Sequence, residues 1–168
     1  MKYVIFKTNW GYFGMAGNDS AIYRIYLPAQ KSERIKQRIY RDFPDVKMDK
    51  SFFKSLQKQI IAYFQGKIVD FSTETPVYLD NYTVFSRHIL VTCRSITSGS
   101  IITYADLARK AGHPNAGRAV GNVMARNPLP LIIPCHRVIR SDGKLGGFTA
   151  PGGIKLKKRL LLHEKAAF

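Results

Sequence analysis

Between positions 129 and 139 the chain reads Leu-Pro-Leu-Ile-Ile-Pro-Cys-His-Arg-Val-Ile. The apolar run Leu131 to Ile133 predicts a short buried strand. Pro134 has no N–H to donate to a ladder and ends it. A thiol and an imidazole follow at once, Cys135 and His136. A buried strand that stops there fixes the backbone of Cys135 and leaves its sulfur at the floor of a pocket. A thiol is a weak nucleophile until a base or a positive charge makes it a thiolate. His136 is the nearest candidate base, directly or through a water. Neighbours on a strand point to opposite faces, so direct contact requires a turn here. For an arbitrary Cys-His pair the alternative is a buried cysteine beside a surface histidine.

The partner class is narrowed by charge. The 168 residues carry 27 Lys+Arg against 11 Asp+Glu, a net charge of +16. Such an excess favours a polyanion, nucleic acid first and an anionic membrane surface second; a basic protein with no such partner is the alternative. With 45% hydrophobic and 12% aromatic residues the chain has the makings of a core. No apolar run reaches the length of a membrane span. Residues 1–7 lack a signal peptide's long apolar region and cleavage site, so an intracellular protein is expected, cytoplasmic, or nuclear in a eukaryote. Two cysteines, Cys93 and Cys135, make neither a disulfide framework nor a zinc cluster. All four histidines (His88, His113, His136 and His163) lie in the second half. The first half therefore offers no nitrogen or sulfur ligands for zinc.

Periodicity divides the chain into an N-terminal α+β domain, residues 1–80, and a mainly helical C-terminal domain, residues 81–168. Residues 2–7, 12–15 and 20–27 read as strands, with Pro28 closing the set. Ile35, Ile39 and Phe43 fall at helical spacing over 32–43, with Ser32 as N-cap. Pro44-Asp45-Val46 reads as a turn. A second helix spans 49–65, its stripe of Phe52, Phe53, Leu56, Ile60, Ile61 and Phe64 serving as core. Residues 69–79, with Thr73, Thr75 and Pro76, read as an extended connector. Beyond it, 83–96 predicts a helix that buries Cys93, and a buried thiol away from charge is inert. Thr103 caps a helix over 104–111 that Gly112 ends. His113-Pro114-Asn115 is a tight turn, and 116–126 is a second helix rich in small residues. Two short helices joined by a Gly-containing turn read as a helix-turn-helix.

The string Pro134-Cys135-His136-Arg137-Val138 resembles the active-site signature of the O6-alkylguanine-DNA alkyltransferases, also called methylated-DNA–protein-cysteine methyltransferases. The likeness extends to residues 103–108, 116–121, Asn127-Pro128, Gly146-Gly147-Phe148 and a closing helix that reaches Glu164. It covers about residues 84–165, and several linked motifs make it specific. The resemblance implies direct reversal of O6-alkylguanine in double-stranded DNA, by irreversible transfer of the alkyl group to Cys135, in a monomer needing no metal or other cofactor. The chain departs from relatives that carry an N-terminal zinc.

The resemblance also implies roles. Cys135 is the nucleophile, His136 its base through water, and Glu164 the residue that orients His136. Tyr104 touches the purine and assists the leaving base. Arg118, seventeen positions before Cys135, is the finger that replaces an extruded nucleotide. Ala116 and Gly117 carry almost no side chain, so their helix enters the minor groove closely, with Thr103 and Asn115 beside the DNA. Asn127 is a hinge. The carbonyls of Cys135 and Val138 and the amide near Thr149 read the guanine edge, and Lys157 stands near the pocket. Arg137 makes a structural ion pair or binds backbone carbonyls, while Lys155, Lys158 and Arg159 form a solvated face.

Each role has a plainer counterpart: Arg118 as a solvated helix residue, Ala116 and Gly117 as a helix-packing face, Tyr104 as half-buried packing, Asn127-Pro128 as a turn. Two other functions compete. A basic helix-turn-helix protein could mark bases without chemistry, or Cys135 and His136 could serve a thiol hydrolase. The retained cysteine argues against the first, the charge and Arg118 against the second.

Overall fold

The computed structural model describes residues 1–71 and 74–168; Thr73 of the predicted connector lies outside them. The chain forms two compact units, Met1–Tyr78 and Leu79–Phe168. The protein is α+β, with a sheet in the first unit and mostly helices in the second.

In the first unit β1 (Lys2–Thr8), β2 (Gly11–Gly17) and β3 (Ile22–Ala29) form an antiparallel meander. β4 (Lys47–Met48) adds to its edge in parallel with β1, giving the order β3-β2-β1-β4. Alternate side chains of a strand face opposite sides, and β2 is covered on both. Helix α1 (Ser32–Asp42) buries Ile35 and Ile39 on the side of Tyr3, Ala16 and Tyr26. Gly14 lies on this side because a Cβ there would come 2.4 Å from Ile35 Cγ2. Helix α2 (Lys54–Phe64) takes the other side, where Phe64 packs 6.0 Å from Phe13 between ring centroids.

Three expectations for this unit need correction. Pro28 lies inside β3, at a register irregularity opposite 12–14 where no ladder bond is required of it. Ser32 is the first residue of α1 rather than its cap; it donates to Glu33, and Lys31 precedes the helix with no side-chain cap. Helix α2 begins five residues late. Asp49 accepts from both the backbone N–H and the hydroxyl of Ser51, and this local bonding competes with helix. Phe53 then enters α2 with a left-handed φ of 48°. The turn expected at 44–46 is present and leads into β4, too short a strand to declare itself by alternation.

The second unit opens with α3 (Val84–Arg94), capped by Thr83, whose hydroxyl accepts from Ser86 N–H. Next come β5 (Ile102–Thr103), α4 (Tyr104–Lys110) and α5 (Gly117–Ala125). Thr103 accepts from Asp106 N–H and donates to its carboxylate, a two-way cap on α4. The turn between α4 and α5 places Asn115 at φ 71°. Gly117 faces α4, and a Cβ there would lie 3.6 Å from Ala105, an ordinary contact distance that leaves room for alanine. β6 (Val138–Ile139) pairs with β5 in parallel, and α6 (Gly153–His163) closes the unit.

The strand expected over 131–133 is absent. Pro130 and Ile133 bridge each other around a turn in which Leu131 adopts φ 78°. All three apolar residues are nevertheless buried. Burial set the composition here, and a short apolar run does not reveal backbone direction. Cys135–Arg137 then forms a single 3₁₀ turn leading into β6.

Candidate active site

The 3₁₀ turn lets three consecutive side chains enter the interior together. Cys135, His136 and Arg137 are all buried. Cys135 lines a cavity of about 280 Å³ with Tyr104, Gly121, Met124, Arg140 and residues 146–149. Gly146, at φ 72°, is needed there: a Cβ would come 3.1 Å from the Tyr104 hydroxyl. Thr149 belongs to the wall and is pinned by its hydroxyl to the carbonyl of Ala125 at 2.7 Å.

Asn127 follows α5 and bonds in three directions. Its amide donates to Cys135 Sγ at 3.1 Å and to the Ile133 carbonyl at 2.7 Å, and its oxygen accepts from Leu129 N–H at 3.0 Å. Burial pushes the Cys135 thiol up, while the Asn127 hydrogen bond and the Lys157 charge oppose that rise. Lys157 is fully buried and donates to the carbonyls of Val138 and Leu145, both at 2.5 Å. The Val138 carbonyl thus has a partner in the Lys157 ammonium. Tyr104, the first residue of α4, is half-buried, and desolvation, reinforced by the cysteines, raises its pKa.

Behind the thiol, His136 Nε2 lies 2.8 Å from Glu164 Oε1. Arg137 holds both oxygens of the same carboxylate, Nε to Oε2 and Nη2 to Oε1 at 2.9 Å each, and Nη1 donates to the Ile96 carbonyl. Burial alone would raise Glu164, but the hydrogen bonds from His136 and Arg137 outweigh it and hold its pKa well below the usual carboxylate range. Burial lowers His136 more than Glu164 raises it, so the imidazole is neutral. An ionised carboxylate only accepts, so Nε2 carries the proton. His136 Nδ1, buried, has no hydrogen-bond partner among the described residues.

Arg118 does not line the cysteine cavity. It projects from α5 into an adjoining open groove of about 460 Å³, which shares Tyr104, Gly121 and Arg140 with that cavity. Asn115 and Ala116 stand at the entry to α5, and Thr103 is engaged as the α4 cap. Cys93 is fully buried in α3, and burial raises its thiol pKa well above the ordinary value. Arg137 makes both the ion pair and the carbonyl contact expected of it, with Glu164 as the unforeseen partner; sequence reasoning missed the bond from Asn127 to the sulfur and Arg140 at the cavity. Only proximity to Cys135 in sequence could have signalled them.

The family model described as 6-O-methylguanine DNA methyltransferase, DNA binding domain, matches residues 84–166. A second, described as 6-O-methylguanine DNA methyltransferase, ribonuclease-like domain, matches residues 1–77. A methylated-DNA–protein-cysteine methyltransferase of Methanosarcina barkeri is 34% identical over 166 residues, 98% of each chain. One from Methanothermobacter thermautotrophicus is 44% identical over 111 residues, 66% of this chain but 60% of that one. Among solved structures, Mycobacterium tuberculosis OGT in complex with DNA is similar with a TM-score of 0.79 and 30% identity, covering 98% of this chain and 93% of that one. Matches that run from the first strand to the last helix, through the turn that buries Cys135, make this chain a member of the methylated-DNA–protein-cysteine methyltransferase family.

Proposed function

We propose that the protein repairs DNA by direct reversal, moving the alkyl group of O6-alkylguanine in a duplex onto Cys135 in one irreversible step. The observation that carries this reading is the buried Cys135 beneath a cavity, with Asn127 bonded to its sulfur and the His136–Glu164–Arg137 set behind it.

The lesion lies inside the base stack, so its nucleotide must be extruded. Arg118 fills the gap, while Thr103, Asn115, Ala116 and Gly117 bring the helix-turn-helix to the minor groove. Asn127, Val138, Thr149 and Lys157 shape the pocket. His136 Nδ1 takes the Cys135 proton through a water, and Glu164 stabilises the imidazolium that results. The thiolate attacks the alkyl carbon. The sulfur–carbon bond forms as the carbon–O6 bond breaks, and the electron pair leaves with the base. Tyr104, kept protonated by its raised pKa, donates to the departing purine. A thioether has no hydrolytic exit, so each chain is consumed by one lesion. Residues 81–168 carry all of these steps, in a monomer that needs no metal. Its place is the compartment that holds the DNA: the cytoplasm, or the nucleus of a eukaryote.

The test is the mass of the protein after incubation with a duplex containing O6-methylguanine. One methyl on the Cys135 peptide supports transfer. Binding without an adduct would mean a marker of damaged bases, and repeated release of product would mean a hydrolase.

A further inference from the structure

Arg140 occupies a junction. It lines the Cys135 cavity and also the adjoining groove that holds Arg118. Its guanidinium is not free in that position. Nε and Nη2 grip the two oxygens of Asp142 at 3.1 and 2.9 Å, the side-on fork that a planar guanidinium offers to any two-oxygen anion. Both side chains are open to solvent, 57% and 41% exposed. The loop beneath them is a closed turn, with Arg140 N–H donating to the Lys144 carbonyl at 2.9 Å and Gly143 N–H to the Arg140 carbonyl at 3.1 Å.

Asp142 is the acid in the lining of a groove that otherwise offers two arginines. An acid there opposes the approach of a polyanion, and its geometry supplies a reason for its presence: it takes the two donors that a phosphate would take. It also has somewhere to go. Lys144 N–H already donates to Asp142 Oδ1 at 3.2 Å, and Lys144 Nζ lies 3.9 Å from Oδ2. Asp142 therefore keeps partners when Arg140 leaves it.

We propose that Arg140 is a phosphate clamp at the mouth of the Cys135 pocket, and that Asp142 holds its guanidinium in the DNA-free protein as a stand-in anion which a DNA phosphate displaces. The proposal rests on the DNA-repair reading above and adds an exchange to it. Arg140 passes from an internal carboxylate to the backbone of the strand, so the loop beside the pocket reports that DNA is in place. A point charge would satisfy attraction alone; the exchange requires the fork.

The experiment measures binding of an unmodified duplex over a range of salt concentrations, for the full chain and for Arg140→Ala, Asp142→Asn and the double variant. Loss of one phosphate contact should lower the slope of log K against log salt by about 0.9 in Arg140→Ala. Asp142→Asn should tighten binding in the native background and change nothing, within about twofold, when Arg140 is already alanine. An unchanged slope in Arg140→Ala overturns the clamp. Equal tightening by Asp142→Asn in both backgrounds overturns the stand-in, because Asp142 would then act as a repelling charge independent of Arg140. Thermal melts that match the parent establish that each variant is folded, as expected for exposed turn residues. Methyl transfer to Cys135 in the native protein is recorded alongside. If transfer occurs but the slope is unmoved, this proposal alone fails; if the native protein neither binds nor reacts, the repair reading fails.

Discussion

Arg137 and Glu164 meet at two points, Nε to Oε2 and Nη2 to Oε1, both at 2.9 Å, with side chains 3% and 1% exposed. The pair fixes more than itself. Because Arg137 keeps the carboxylate ionised, Glu164 has only lone pairs to offer His136, and the imidazole tautomer follows.

Glu164→Ala leaves the Arg137 guanidinium buried without its counter-charge, and is expected to destabilise the protein by about 3–5 kcal/mol. Urea denaturation measures this. The same pair predicts an acid limb. The folded pKa of Glu164 lies well below its unfolded value of about 4.3, so its contribution is present above that pH and is lost as pH falls toward the folded pKa. His136 acts in the same direction from a higher pH: its folded pKa is lowered, so stability declines once the unfolded chain begins to take a proton near pH 6.5. Denaturation midpoints that stay level from pH 7 to about pH 5 would refute the His136 assignment, and midpoints that fall no further below about pH 4 would refute that of Glu164.

Asn127→Ala removes the hydrogen bond to Cys135 Sγ that opposes the effect of burial. The thiol pKa should rise, and the ascending limb of transfer rate against pH should move to higher pH with free O6-alkylguanine base as substrate. The buried Leu129 N–H and the Ile133 carbonyl also lose a partner, at a cost of about 1–3 kcal/mol in stability. A lowered midpoint with an unmoved pH profile would make Asn127 purely a hinge.

The two thiols should separate cleanly. Cys135→Ala is expected to abolish alkyl transfer while leaving DNA binding largely intact, since the proposed phosphate contacts lie elsewhere. Cys93→Ala truncates the core and should cost about 1 kcal/mol with transfer retained. Mass spectra of both variants after reaction with alkylated DNA decide it, and stoichiometric demethylation by Cys135→Ala would show the nucleophile to be wrong.

Arg118 lies in the outer groove, and the proposed function gives it the gap left by the extruded nucleotide. Unstacking costs a few kcal/mol. Arg118→Ala should therefore lower the ratio of duplex to free-base transfer rates by about one to two powers of ten under saturating protein. Equal losses on both substrates would assign Arg118 to the pocket or the fold instead. A defect cured by lower salt would leave it one phosphate contact among many.

Much of the second unit could be read from the sequence because its signals are local. Thr103 caps α4 through a residue three positions on, and Gly112 and Asn115 take the left-handed angles that a short link between helices requires. The turn at Leu131 was not legible, because an apolar residue with positive φ leaves no mark on composition. β5 and β6 are two residues each and join segments far apart in sequence, so no periodicity announces them. The bidentate hold of Arg137 on Glu164 spans 27 positions and depends on how α6 packs on the 3₁₀ turn. Resemblance supplied Glu164 where local reasoning could not, and it supplied nothing for Arg140.

Lys157 gives the pocket an electrical asymmetry. Its ammonium is held by two carbonyls, and among the described residues no carboxylate pairs with it. Burial brings its pKa down to about 8, so at neutral pH the cation persists without an answering anion. Ionisation of Cys135 would supply that anion, and the two charges favour each other. Transfer then takes the anion away for good, because a thioether has no proton to lose. In the reaction proposed above, the alkylated chain loses the charge that favoured the Lys157 ammonium, so the pKa of that buried amine should fall further in the spent protein.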